Sequence, residues 1–166
     1  MLLLHKDDEG EVRHFLFYSR VVYTAVAMKD FQYVDIHTHV NLVAFKDDQD
    51  EVTRRALSAG VAHINVGTQR DTSQVAVALA EQYEEGVYAT VGLHPVHTSK
   101  SFHDAQELET DSGADAEGFT SRGEQFDFEF YKKRALHPKV VAIGECGLDY
   151  YRLESDTVAK QKEAFV

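Results

Sequence analysis

The chain is poor in several things. It has one cysteine, Cys146, among 166 residues, so no disulfide can close within it. A lone cysteine fits a reducing compartment, and the cytoplasm is the expected location. Cations are scarce: 17 Lys and Arg stand against 28 Asp and Glu, a net charge of -11. That balance argues against broad, non-specific attraction to DNA or to an anionic membrane. It leaves room for an enzyme that meets nucleic acid through a small metal-lined site, because the metal brings its own positive charge. No membrane span is expected. The apolar stretch Phe15–Ala27, FLFYSRVVYTAVA, is too short and is broken by Arg20. Ala25-Val26-Ala27 mimics a signal-peptidase site, yet HKDDEGEVRH before it lacks the cationic start of a secretion signal. Repeats and low-complexity tracts are missing too. Residues 1–32 read as an N-terminal extension, with Met28 as an alternative start.

What is present suits one soluble domain with a real core, at 43% hydrophobic and 27% charged residues. From residue 33 a rhythm appears. YVDIH (33–37) predicts a strand, and a helix beginning between Asp47 and Asp50 runs to Gly60. VAHINVG (61–67) is the second strand. Asp71 or Thr72 caps the next helix, whose Val75, Leu79 and Tyr83 recur at helical spacing before Gly86. VYATVG (87–92) and KVVAIG (139–144) are the third and fourth strands. Residues 97–125 form a long acidic loop, 126–138 a helix ending at Pro138, and 155–166 a last helix. Strands that alternate with helices build a parallel sheet, and their Val, Ile and Ala content fits strands covered on both faces. Four such units fit a small open sheet or half of an eight-fold barrel, which needs ~250 residues in full.

The chemistry gathers at the strand ends. In VDIHTHV, alternation places His37 and His39 on one face with Asp35 behind them. Two imidazoles at a strand tip can share a cation, although a bare HxH also describes a pair of loop histidines. In GECGLDYYR, Glu145 follows the apolar run VVAI and offers a carboxylate at another tip. Asp149 and Arg152 read either as a surface ion pair or as a supporting carboxylate and an anion contact. In GLHP, His94 follows the third strand and can reach the same place, or it is a turn histidine fixed by Pro95. His63, inside the second strand, reads as a packed histidine. His97 and His103, in the acidic loop, read as solvated. Cys146 has no partner base and is not read as a nucleophile.

The order HTH, GLHP, GECGLDYYR, followed by KQKEAFV, resembles the TatD family of metal-dependent hydrolases over roughly residues 31–166. The resemblance implies a (β/α)8 TIM-type barrel holding two divalent cations (Zn, Mg or Mn) and a deoxyribonuclease or related phosphodiesterase that uses a metal-activated water. DNA or another phosphodiester is the implied partner. By position, His37 and His39 would ligate one cation and Glu145 would bridge the two. His94 and Arg152 would lie near the substrate, with Asp35 and Asp149 behind the ligands. D-aminoacyl-tRNA deacylation or another amidohydrolase-like activity is the alternative on the same fold. TatD-type proteins carry further ligands after later strands: two histidines after the fifth and sixth, and an aspartate after the eighth. This chain reaches Val166 inside its fourth helix and has none of them. The expectation is thus about the first four βα units, residues 33–166, inactive alone. Such a fragment would leave the fourth strand's edge unpaired and open to self-association, or would need a partner half.

Overall fold

A computed structural model describes residues 31–100, 123–151 and 157–166. It also describes the backbone of short strands at Leu2–Leu3, His5–Lys6, Val12–Arg13, Phe102–His103 and Phe119–Thr120. The stretch Phe15–Ala27, Met28, Arg152 and most of the acidic loop lie outside the described residues.

Four parallel strands form the centre: β1 (Tyr33–Thr38), β2 (Val61–Val66), β3 (Val87–Val91) and β4 (Val140–Ile143). They pair in chain order, β1 with β2, β2 with β3 and β3 with β4. A sheet wound in one direction, with no reversal of strand order, is the arrangement of a barrel wall rather than of a doubly wound sheet. The fold is α/β, a partial barrel. The outer edge of β4 was expected to be bare. Instead Leu2–Leu3 lies antiparallel on it, pairing Leu2 with Ile143 and Leu3 with Ala142. The other edge, at β1, has no partner strand among the described residues.

The helices follow their strands. α1 (Gln49–Ser58) starts with Asp50 and Glu51 in its first turn, where carboxylates meet the positive end of the helix dipole. Gly60 then turns the chain with φ +75, a conformation that costs glycine little. α2 (Arg70–Glu81) begins earlier than the sequence suggests, with Gln69 as its N-cap. The reason is Thr72, which acts from inside the first turn: its hydroxyl accepts the backbone N–H of Thr68 at 2.9 Å and of Gln69 at 3.0 Å. α3 (Phe128–Ala135) is capped by Asp127, whose carboxylate accepts the Phe130 N–H at 3.0 Å. α4 is Thr157–Phe165. A 3-10 turn at Pro95–Thr98 packs against α4 and buries His97, which was expected to be solvated.

The core lies between β3 and the helices. Val87, Ala89 and Val91 meet Ala76, Leu79 and Ala80 of α2 and Tyr131 and Ala135 of α3. No helix among the described residues is long and apolar enough to cross a membrane.

Candidate metal centre

The two strands that carry the expected ligands share an irregularity. Between Asp35 and Thr38, β1 advances three residues while β2 advances two, from His63 to Asn65. Between Val140 and Ala142, β4 advances two residues while β3 advances one. Each strand therefore holds one extra residue just before its tip. Such bulges re-aim the side chains that follow them. In β1 the consequence is a change of face. Asp35 and Thr38 pair with His63 and Asn65, and the Thr38 hydroxyl lies 3.4 Å from His63 Nδ1 and donates to Asn65 Oδ1 at 3.2 Å. His37 and His39 take the opposite face. Simple alternation, which placed Asp35 on the histidines' face, is overturned by the bulge. Asp35 instead acts electrostatically on His63, and its Oδ1 accepts the backbone N–H of His37 at 3.1 Å.

Glu145 crosses to meet the histidines. Its Oε1 is 3.7 Å from His37 Nε2 and its Oε2 is 4.0 Å from His39 Nε2. The two imidazoles stand edge to face, 5.1 Å apart at 76°. The ligand atoms of all three residues lie within 4.8 Å of one another. Two donors on one zinc-sized cation, each at ~2.1 Å, can be at most ~4.2 Å apart, and both carboxylate–imidazole distances fall inside that limit. The two pairs use different oxygens of Glu145 and the whole set spans up to 4.8 Å, so the three donors are of the right kind for a divalent cation and would draw slightly closer around one. Burial lowers the His39 pKa against the pull of Glu145, with His37 adding to the lowering. His39 stays neutral at pH values where an ordinary histidine begins to charge, and neutral imidazole is the form that ligates. Its buried Nδ1 faces the Val66 backbone without a hydrogen bond of standard geometry.

The tips are laced together by their backbones. Glu145 N–H donates to Gly67 O at 2.9 Å and Gly144 N–H to Val91 O at 3.0 Å. The buried Thr90 hydroxyl donates to Gly144 O at 2.8 Å. A Cβ on Gly92 would stand 2.6 Å from Glu145 O, so that residue must be glycine for β3 and the Glu145 loop to touch. Sequence reasoning misses Thr90 and Gly67. The signal available is that both stand at strand ends that neighbour a strand carrying a candidate ligand.

His94 lies outside the three-residue cluster. Its N–H donates to Thr68 O at 2.7 Å, and its Nδ1 accepts the Val96 N–H at 3.2 Å. Asp149 accepts the Tyr151 N–H at 2.8 Å, and its own N–H donates to Gln161 of α4 at 2.9 Å. It holds the loop after Glu145 to α4. His63 is buried, with its Nδ1 between Thr38 and Asn65, as a packed histidine. Desolvation and Glu145 both raise the Cys146 thiol pKa, the wrong direction for a nucleophile.

A family profile described as TatD related DNase matches residues 34–166. The chain belongs to the TatD-related DNase family. It is 37% identical over 134 residues to the 3'-5' ssDNA/RNA exonuclease TatD of Cronobacter sakazakii, covering 79% of this chain and 41% of that one. It is 36% identical over 133 residues to the Shigella flexneri protein of the same name, covering 80% and 42%. It is 35% identical over 132 residues to the uncharacterized metal-dependent hydrolase YabD of Bacillus subtilis, covering 79% and 42%. Among solved structures, the TatD homologue YJJV of Escherichia coli K12 is similar at 28% identity, with a TM-score of 0.51 over 80% of this chain and 43% of that one. The chain spans about two fifths of the length of the TatD relatives it matches.

Proposed function

We propose that this chain supplies the first part of a TatD-type site that hydrolyses phosphodiesters of single-stranded nucleic acid with divalent metal. The observation that carries the reading is the convergence of His37, His39 and Glu145 from two strand tips onto one point. Relatives named as single-strand exonucleases and as a metal-dependent hydrolase support it.

His37 and His39 would hold a cation as neutral imidazoles. Glu145, with one oxygen toward each histidine, would hold it from the facing strand and reach a second cation. When bound, a divalent cation contributes Lewis acidity toward a phosphoryl oxygen. The backbone bonds from Gly67 and Val91 keep the carboxylate aimed. His94 accepts at Nδ1, so its neutral form carries the proton on Nε2, which is the donor a phosphate oxygen needs. Arg152 is proposed as an anion contact, and Asp35 and Asp149 as supports of the ligand backbone. Zn, Mn and Mg all suit a nitrogen and carboxylate set, with different preferences. Three protein donors among the described residues fall short of a closed site, so the 166-residue chain by itself is proposed to bind metal weakly and to cleave nothing.

The test joins residues 33–166 to the remaining barrel of a TatD relative and assays shortening of a labelled single-stranded oligonucleotide. Metal-dependent cleavage is expected, with loss in the His37→Ala/Glu145→Ala double variant. Cleavage that survives the double variant would sink the assignment. For the chain alone, tight calorimetric binding of two zinc ions would refute its incompetence.

A further inference from the structure

A second group of residues stands near the tips. Helices that follow parallel strands begin at the strands' C-terminal end, so Arg70, first in α2, and Asp127, the cap of α3, share that end with the metal centre. Arg70 comes three residues after Gly67, whose carbonyl holds Glu145. Chain reach therefore keeps the two Cα atoms within ~11 Å. Beside Arg70 opens a hollow of about 620 Å³, with Gln125, Phe126 and Phe128 on its wall. Two of its aromatic rings face solvent, Phe126 at 38% and Phe128 at 54% exposure.

Phe126 is held firmly. Its ring lies flat on Tyr131, 5.1 Å away at 9°. Tyr131 is buried, and its hydroxyl donates to Glu124 at 2.7 Å. Glu124 also accepts the Arg70 backbone N–H at 2.9 Å. One face of the ring is thus set against Tyr131 while the residue keeps 38% exposure, which leaves room for another flat group.

We propose that Phe126 is a stacking platform for one base of a single-stranded nucleic acid, with Arg70 contacting the adjoining phosphate. A base on its exposed side would add a third layer to the Tyr131–Phe126 stack. Every base has a π face, so the platform tolerates sequence, while a paired and stacked duplex offers no free face. Arg70 has five N–H donors and gives one to Asp127 at 2.9 Å, which leaves donors for phosphate. Asp127 is paired with Arg70, Glu124 accepts the Arg70 backbone N–H, and Lys132 lies 5.6 Å from the Phe128 ring centre. Affinity then comes mainly from stacking, in keeping with the acidic balance of the chain. The proposal rests on the nucleic-acid reading above for its ligand, but the platform itself needs no metal.

The test is metal-free. Binding of a labelled single-stranded oligonucleotide to the whole chain is followed by fluorescence anisotropy, and stacking by quenching of a 2-aminopurine base. Phe126→Ala is expected to weaken binding about five- to a hundredfold, and Phe126→Trp to restore it. Circular dichroism checks the fold. Should Phe126→Ala unfold, Phe126→Leu keeps the bulk without the π face and is expected to lose the quenching. Unchanged affinity and quenching in these variants, equal binding of an abasic strand, or no binding by the parent chain would overturn the platform. A joined barrel that binds strands through Phe126 yet takes up no zinc by calorimetry would remove the hydrolase reading and leave the platform standing.

Discussion

At Gly92 the absence of a side chain lets two strand tips touch. A methyl group there meets Glu145 O and Gly144 C, each at 2.6 Å, and these are backbone atoms that cannot swing away. Gly92→Ala is expected to cost about 1–3 kcal/mol in urea unfolding and to weaken zinc binding in the joined barrel, because Glu145 must retreat. His63 sets a different dependence. Burial holds its pKa below 6.5, opposed by Asp35. As pH falls, the unfolded chain takes up the proton first. Its contribution to stability is therefore full above pH 6.5 and is lost as pH drops through the lower folded value. The urea midpoint should fall between pH 7.5 and 5, and His63→Asn should flatten that slope. Residue chemistry of this kind was legible only in part. HTH and Glu145 stand out because metal-binding side chains at strand ends are unusual, whereas the roles of Thr90 and Gly67 depend on which strands are neighbours.

At the scale of elements, the start of α2 links helix formation to the site. The Thr72 hydroxyl holds the N–H groups of Thr68 and Gln69, and Thr68 in turn accepts the His94 N–H. Thr72→Val keeps the shape and removes the acceptor. It should cost ~1 kcal/mol in denaturation, the usual value of a lost cap, and loosen His94, seen as faster amide exchange there. The order of strands and helices could be read from glycine stops and apolar runs, since those signals are local. The helix start could not be fixed to a residue, because Asp71, Thr72 and Gln69 all offer capping groups and tertiary contacts choose among them. The burial of His97 was hidden for the same reason: a polar loop sequence says nothing of α4 packing over it.

On the scale of the whole molecule, the two edges of the sheet differ. β4 is covered by Leu2–Leu3. β1 has no partner strand on its other edge among the described residues, and its Tyr33, Val34 and Ile36 are exposed at 66%, 44% and 54%. An apolar, unpaired strand recruits another chain. The 166-residue chain should therefore self-associate with rising concentration in sedimentation, and Ile36→Lys should shift it toward monomer. A sedimentation profile unchanged by that substitution would assign the association to another surface. The sequence announces a barrel wall through four parallel units and a family order of motifs. It cannot announce what sits on each edge, since pairing at an edge is decided by segments distant in the chain.

The extra residues in β1 and β4 have a mechanical meaning. Each is an added residue in a strand otherwise paired with its neighbour, and each precedes a member of the His37, His39 and Glu145 group. The ladder beneath each tip stays paired on both sides of the extra residue. The spacing between the histidine pair and Glu145 is thus set by two local irregularities, one in each strand, and not by the pitch of the wall that carries them.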